Sequence, residues 1–342
     1  MIAASVRRAL RGLALGVTAI LAGPALAGTA GVGGDADNYN VFIFNSGNFY
    51  SENTDTMGNL AAGGSVSLMN YSVAAGINGN SALSPNPARL VVGGTLSAQN
   101  GGVGENQAGA IYTNNTPSLT SFTATGGVHA QTIISSFAAD GTEYTNLSAT
   151  LSGYTANGTA VLAANSDTLT LTGTSTGLNV IDVTASQINS SQTINISAPA
   201  GSTVLLNVAG TDDSLSNGQV SETGVTDAQV LYNFYQATTV TLTGSKDPMG
   251  SILAPLAGVV GGYGAMHGQL IAGSYGGSTI SGSDNLDNTQ FDNVLFTGNL
   301  TPTPVPLPSS AWLMLSALAG LGLVLRRKGG VVQPASPGCA SV

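Results

Sequence analysis

Short runs of alternating apolar and polar residues fill the middle of the chain, between Tyr39 and Thr297. In Thr168–Thr172 the residues Leu and Thr alternate perfectly, which is the period of a half-buried β-strand. Gly, Asn, Ser and Thr separate such runs, and this pattern predicts a mainly β protein with many short strands. The other clear runs are Val41–Phe44, Asn179–Val183, Thr203–Val208 and Thr239–Thr243.

Three Gly-Gly pairs, Gly63-Gly64, Gly93-Gly94 and Gly126-Gly127, indicate a weak internal repeat. They recur at intervals of about 30 residues, a length that stacked supersecondary units produce. Each pair precedes an alternating stretch, and glycine allows a tight corner between two strands. We therefore expect a β-solenoid, with a β-sandwich as the alternative.

One segment, from Thr132 to Tyr154, has a helical rather than a strand period. Its apolar residues recur at spacings of three and four, with one missed turn near Gly141. This spacing predicts a helix of about 15–20 residues within 134–153, packed along the strand array. The apolar residues expected to face the array are Phe137, Tyr144, Leu147 and Leu151.

Residues 1–27 have the three parts of a secretory signal peptide. Arg7, Arg8 and Arg11 precede a short apolar run, and Ala25-Leu26-Ala27 forms an A-x-A cleavage site. The run is too short to span a bilayer core of about 30 Å. We expect signal peptidase to cut after Ala27, the site residues being Ala25 and Ala27. A membrane anchor is the alternative.

The C-terminus also has three parts. In residues 301–308 every second residue is Pro, which predicts a stiff, extended spacer. Ser309–Leu325 carries no charge, and as a helix it would be about 25 Å long, just enough for a thin bilayer. The basic cluster would hold its end in the cytoplasm, so residues 309–328 are a candidate transmembrane segment followed by a tail, 329–342. The cluster is Arg326, Arg327 and Lys328.

This tail resembles the PEP-CTERM sorting signal in its VPLPA variant. The motif residues are Val305, Pro306, Leu307 and Pro308. The resemblance implies transient anchoring in the inner membrane and removal by an exosortase-like protease. Leu307 replaces the Glu of the commonest form, and the chain continues from Gly329 to Val342 after the basic cluster. A plain single-pass anchor that is never cut is the alternative.

The middle of the chain resembles choice-of-anchor A domains of exported bacterial proteins. Tyr39–Asn45 and Asn59–Gly64 match their opening, and Gly250–Pro255 and Gly268–Gly273 match their close. The closing block is also similar to the last coils of ice-binding-like adhesins. Those proteins carry one helix beside a right-handed β-helix. The resemblance implies that 28–300 is one β-solenoid domain of that kind.

Charge excludes one class of function for this domain. The chain has 8 Lys and Arg against 17 Asp and Glu. Only two cations, Arg89 and Lys246, lie between Ala27 and Pro308. They cannot neutralise a phosphate backbone, so we exclude nucleic acid as a partner. Cys339 is the one cysteine, which rules out an intramolecular disulfide.

Candidate chemistry is sparse. Neither His129 nor His267 belongs to a recognised catalytic motif. Asp212-Asp213 followed by His267 resembles the order found in pectin hydrolases, so a polysaccharide hydrolase on a β-helix is the enzyme alternative. The aspartates otherwise lie in an ordinary polar loop.

Two ligand hypotheses remain open. Asp284, Asp287 and Asp292 are weak candidates for Ca²⁺ ligands, since oxygen atoms are dense there. Five Thr at every second position from Thr168 to Thr176 suggest an ice-binding surface, although a Thr-rich secreted strand is the simpler interpretation.

The sequence as a whole predicts an exported, non-enzymatic protein of the cell surface or extracellular matrix. We expect no catalytic residue and no cofactor. The expected role is adhesion or a structural role with exopolysaccharide in a biofilm, with polysaccharide or a surface protein as the partner. The expected processing partners are signal peptidase and an exosortase-like protease.

Overall fold

The computed structural model describes residues 30–302, except 78–87, 105–108, 166, 216–217, 243–246, 263 and 277–287. The two apolar terminal helices predicted from the sequence lie outside these residues, as do the cleavage and sorting motifs. No helix within the described part of the chain is long and apolar enough to cross a membrane.

The described chain contains 23 strands and two α-helices. The helices are α1 (Phe137–Ser152) and α2 (Ala185–Ser190). In the first half, the strands are β1 (Val41–Ile43), β2 (Phe49–Glu52), β3 (Asp55–Thr56), β4 (Leu60–Ala62), β5 (Val66–Val73), β6 (Ala88–Val92), β7 (Leu96–Val103), β8 (Ala110–Thr113), β9 (Ser118–Thr123) and β10 (Val128–His129). In the second half, they are β11 (Thr159–Leu162), β12 (Thr168–Thr172), β13 (Leu178–Thr184), β14 (Thr193–Ser197), β15 (Thr203–Ala209), β16 (Asp212–Ser214), β17 (Gln219–Thr223), β18 (Val230–Asn233), β19 (Thr239–Thr241), β20 (Ser251–Val260), β21 (Ala265–Met266), β22 (Leu270–Tyr275) and β23 (Gln290–Phe291).

Nineteen of these strands form one sheet, in which all the pairings are parallel. Ten of its strands pair one after another in a single row, which we call the long ladder. Its order is β10, β8, β6, β4, β1, β22, β20, β18, β15, β13. Neighbouring strands of the long ladder are separated in sequence by a further strand or corner, as in stacked coils. This pairing matches the predicted β-solenoid rather than a sandwich. The right-handed coil stays a prediction.

The chain enters this array in the middle. β1 lies between β4 and β22, so the first and last coils of the chain pair with each other. From β1 the coils advance to β10, which gives an N-terminal stack of strands β1 to β10. Helix α1 then leads to the other end, and coils from β12 to β23 form a C-terminal stack that returns to β1. The two stacks meet at a seam, where β1 and β2 pair with β22 and β3 pairs with β23.

Aromatic packing and side-chain hydrogen bonds hold the seam. The rings of Phe49 and Tyr275 stack with centroids 4.9 Å apart, and Phe291 meets Tyr275 edge-on at 5.1 Å. Gln269 donates from Nε2 to the Tyr39 carbonyl at 2.7 Å. Asn40 donates from Nδ2 to the Gly268 carbonyl at 3.0 Å. The first and last coils, which are far apart in sequence, are thus held together by ring packing and hydrogen bonds.

Helix α1 confirms the predicted helix. Ser136 caps it by accepting a hydrogen bond from the Ala139 amide at 3.1 Å. Phe137, Tyr144 and Leu151 are buried as expected, whereas Leu147 is only partly buried. The apolar spacing is interrupted at Gly141 because a side chain does not fit there. A Cβ at this position would lie 2.3 Å from Asn45 Oδ1. The helix therefore packs closely on the end of β1.

Strands β1, β4, β6 and β18 of the long ladder are buried on both faces. In β1, Val41 and Ile43 face the solenoid interior, while Phe42 packs under α1 against Phe137 and Tyr144. A strand covered on both sides is continuously apolar rather than alternating. This explains why apolar runs, and not alternations, precede the first two Gly-Gly pairs.

Those two Gly-Gly pairs stack on each other, but the third does not belong with them. The Gly93 amide donates to the Ala62 carbonyl and the Gly94 amide to the Gly64 carbonyl. A Cβ on Gly93 would come within 2.6 Å of the Gly63 carbonyl oxygen, so the corner requires glycine. Gly126 instead donates its amide hydrogen bond to the Gly109 carbonyl, and these two glycines come just before β10 and β8. The predicted three-fold repeat of this corner was therefore wrong.

Two local elements differ from expectation. The segment Gly210–Gly218, interpreted as a polar loop, contains strand β16, which pairs with β19. The short helix α2 was not predicted. Thr184 and Gln187 close its first turn with a capping box, because the Gln side chain returns a hydrogen bond to the backbone of the capping residue.

Candidate surface-binding site

A second, four-stranded sheet forms one side of the C-terminal stack. In it β12, β14 and β17 are parallel, and β11 pairs antiparallel with β12. All five positions of β12 align with β14 and all five of β14 align with β17, without a register shift. Leu169, Ile194 and Val220 point into the core, so the alternate positions point outward.

The outward positions form aligned rows of small polar side chains. Within a row, neighbouring strands are about 4.8 Å apart, and successive rows are about 6.6 Å apart along a strand. We call this surface the hydroxyl face. Its rows are Thr168, Thr193 and Gln219; Thr170, Asn195 and Ser221; and Thr172, Ser197 and Thr223, with Thr159 and Val161 added by β11.

No residue of the hydroxyl face carries a charge. The one acid in its strands, Glu222, alternates with the outward residues and is half-buried beneath them. Burial, and secondarily the nearby carboxylate of Asp227, raise the pKa of Glu222 to about 7. The sheet therefore presents a neutral array of hydroxyl and amide groups beside one exposed apolar side chain, Val161.

Such an array can donate and accept many weak hydrogen bonds at once. Ser221 donates to Asn195 Oδ1 at 2.7 Å, which fixes the rotamers of two adjacent side chains in the central row. Pre-ordered side chains lose less conformational entropy when they bind a partner. The face suits a flat, hydroxyl-rich partner or an ordered layer of water.

Sequence reasoning found only one strand of this face. Thr168, Thr170 and Thr172 lie on β12 as predicted, but the strand ends there, and Thr174 and Thr176 lie beyond it. The rows from β14 and β17 were missed. A signal for them exists, since the polar alternations of β12, β14 and β17 begin at nearly equal intervals along the sequence.

The residues of the hydrolase alternative lie on different ladders. Asp213 is in β16, which pairs with β19, while His267 follows β21 and pairs with Met249. Asp213 is 2% exposed. Burial, followed by repulsion from Asp212, raises its pKa to about 6. His129 stacks on Tyr112 at 4.5 Å and its Nε2 lies 3.1 Å from the Gly126 carbonyl oxygen.

Of the three calcium candidates, the structure describes only Asp292. Its Oδ2 lies 2.6 Å from His267 Nδ1, and its Oδ1 accepts a hydrogen bond from Gln290. Among the described residues, no group of three or more His, Cys, Asp or Glu could hold a metal ion. Asp284 and Asp287 lie outside the described residues.

Comparison with known proteins identifies the family of the domain. A family model described as "Putative Ice-binding-like adhesive domain" matches residues 32–282. Among solved structures, the chain is similar to an ice-binding protein from an Antarctic bacterium, Flavobacteriaceae. The two share 12% identity over 78% of this chain and 81% of that chain, with a TM-score of 0.32. A search of curated proteins gives no match. Because the family model covers well over half of the chain, the chain belongs to this family of ice-binding-like adhesive domains.

Proposed function

We propose that the protein is an exported, non-enzymatic adhesin whose hydroxyl face binds neutral, hydroxyl-rich polysaccharide. The observation that carries the proposal is the unbroken register of β12, β14 and β17, which aligns polar side chains into three rows. Family membership supports an adhesive role outside the cell. The acidic charge of the domain disfavours an acidic polysaccharide, because like charges repel.

Substitutions in the central row test this proposal. Thr170→Glu places a charge in the middle of the face, and burying that charge against a neutral partner is costly. We expect retention on insoluble cellulose to fall roughly tenfold or more, since central contacts carry most of the binding energy. Ser97→Glu is the matched control, because Ser97 is also an exposed strand residue and lies in the N-terminal stack. Equal retention of both variants would overturn the assignment of the face.

Ice is the second candidate ligand, favoured by the hydroxyl row Thr172, Ser197 and Thr223. An ice-binding face should inhibit ice recrystallisation, and Thr170→Glu should abolish that inhibition while Ser97→Glu leaves it intact. Cellulose retention without inhibition of recrystallisation supports polysaccharide. The opposite result supports ice.

Export and sorting form a separate part of the proposal. We propose that residues 1–27 are cleaved and that Ser309–Leu325 stalls in the inner membrane until an exosortase-like protease cuts near 305–308. Deleting 305–328 should release soluble protein to the periplasm. If the surface-localised protein has a mass that still includes Trp312 through Lys328, cleavage near 305–308 is excluded. The segment would then be a simple transmembrane anchor.

We propose no catalytic residue and no cofactor. Calcium is testable directly, because a bound ion stabilises the folded state by mass action. We expect the melting temperature to be the same in EDTA and in millimolar CaCl₂. A rise with calcium that Asp292→Asn removes would support Asp284, Asp287 and Asp292 as ligands.

A further inference from the structure

The outer edge of each ladder in the C-terminal stack is covered. On β13, Asn157 accepts from the Val180 amide at 2.7 Å and donates to the Leu178 carbonyl at 3.0 Å. On β16, Asn189 of α2 accepts from the Ser214 amide at 2.7 Å. On β12, the antiparallel strand β11 occupies the edge. Covering the edge removes the unpaired backbone groups that would otherwise pair with another chain.

The opposite end of the solenoid has no such cover among the described residues. β9 pairs with β7 on one side, and no described strand pairs with its other side. The chain that comes after β10 turns toward β8, where the Thr132 amide donates to Asn114 Oδ1. Backbone groups of β9 therefore point outward along Ser118–Thr120, before the strand turns a corner at Ser121, where φ is 51°.

This end also lacks the charges that normally protect an open edge. From Ala110 to Ser136 the sequence contains no Asp, Glu, Lys or Arg. Two large apolar side chains near it are exposed, Val128 at 45% and Ile133 at 37%. The capped end, by contrast, carries the exposed acids Asp167, Asp182 and Asp212. Two copies of an acidic protein repel each other least where the surfaces that meet carry no charge.

We infer that β9 is a self-association edge, at which two copies of this chain join end to end. Identical edges related by a two-fold axis run antiparallel. The β9 strands of the two copies would therefore form an antiparallel pair that continues the sheet from one solenoid into the next. The hydroxyl face lies in the C-terminal stack, so the two faces of the dimer would be at its outer ends.

Matched lysine pairs test the inference in the full-length chain, purified in mild detergent. Ser118→Lys/Thr120→Lys places two charges on β9, and Ser97→Lys/Gln99→Lys places two on the neighbouring strand at the same register. All four wild-type residues are exposed, so both variants should fold. Sedimentation equilibrium should give a dimer for the wild type and the β7 variant. For the β9 variant the dissociation constant of the dimer should rise roughly tenfold or more, because the lysines of the two copies would repel each other.

Disulfide cross-linking gives a second measurement in a Cys339→Ser background. Thr120→Cys or Ser118→Cys should yield a covalent dimer under oxidising conditions, whereas Gln99→Cys should not. A monomeric wild type would overturn the inference. So would a dimer that both lysine variants weaken equally, which would indicate association through another part of the chain.

Discussion

The C-terminal stack ends in side chains and short segments that satisfy its strand edges, whereas the N-terminal stack ends in a strand with an open edge. The pairing inside the two stacks is the same parallel ladder. The difference lies in the connections around each last coil. In the C-terminal stack, the covering groups lie in the segments that join one coil to the next: Asn157 and β11 follow α1, and Asn189 is in α2. The local connections therefore distinguish a covered end from an open one in this molecule.

The two stacks also use asparagine in different ways. In the N-terminal stack, Asn53, Asn70 and Asn100 occupy one exposed corner with φ of 56°, 51° and 53°. Their side chains form a ladder, with Asn70 donating to Asn53 at 2.8 Å and Asn100 to Asn70 at 3.1 Å. Asparagine tolerates this left-handed conformation better than most residues. The ladder therefore shapes a corner.

In the C-terminal stack two asparagines, Asn207 and Asn233, are buried beneath α1. Asn207 donates to the Leu151 carbonyl at 2.9 Å, and Asn233 donates to the Ser148 carbonyl at 3.0 Å. Asn233 also donates to Asn207 Oδ1 at 2.9 Å. These bonds anchor the last turns of the helix to two adjacent strands. The same residue type thus fixes backbone conformation in one stack and docks the helix in the other.

The largest expected effect concerns the helix that bridges both stacks. Phe137 packs on the N-terminal stack and Leu151 on the C-terminal stack, and both are buried. Phe137→Asp or Leu151→Asp should each lower the free energy of unfolding by about 3–5 kcal/mol, because an unpaired charge would be buried. Leu147→Asp should cost less, since Leu147 is only partly buried.

Urea denaturation of the three variants measures this order. Asn146→Asp is the control, because Asn146 is exposed on the same helix. If Leu151→Asp unfolded at the wild-type urea concentration, α1 would not be docked on the C-terminal stack.

A smaller effect is expected at the capped edge. Asn157→Ala removes two hydrogen bonds to β13 and leaves partly buried backbone groups without partners. The free energy of unfolding should fall by about 1–3 kcal/mol. Asn165→Ala is the control, since the Asn165 side chain forms its hydrogen bonds to Asp167 within an exposed turn. Similar losses in both variants would show that the cap contributes nothing specific.

The strands and the helix were the predictable part of this fold. Alternation identifies β12, and spacing identifies α1, because each pattern is local. The pairing of Val41 with Leu270 is not local. No short-range pattern shows that the first coil joins the last one, or that the chain begins in the middle of the array.

The candidate site was only partly predictable for a related reason. Thr168, Thr170 and Thr172 stand out because they are on one strand. Asn195 and Ser221 join Thr170 only through the register of three separate coils. The three strands begin at nearly equal intervals, which is a signal for stacked coils, but an interval does not show which positions align. The rows of the hydroxyl face could therefore be assigned only once the strands were paired.

A pH-dependent difference is expected for the C-terminal stack. Burial raises the pKa of Glu222 from 4.5 to about 7. Between these values the folded chain keeps a proton that the unfolded chain releases, so stability falls as the pH rises. Unfolding in urea at pH 5 and pH 8 should show this fall. Glu222→Gln should reduce the difference, whereas Ser221→Ala, on the same strand, should keep it. An unchanged difference in Glu222→Gln would show that other groups cause it.

The smallest expected effect is a gain at the open end of the N-terminal stack. Ser121 has φ of 51° and lies level with Asn100, where the asparagine ladder stops. Ser121→Asn supplies an amide that can donate to Asn100 Oδ1, as Asn100 does to Asn70. It also places a residue suited to the left-handed conformation. The free energy of unfolding should rise by about 0.5 kcal/mol, because the new bond is exposed to water. Ser118→Asn, on the same strand, should give no gain. Equal stability of both variants would mean that the ladder is a consequence of the corner and adds nothing to it.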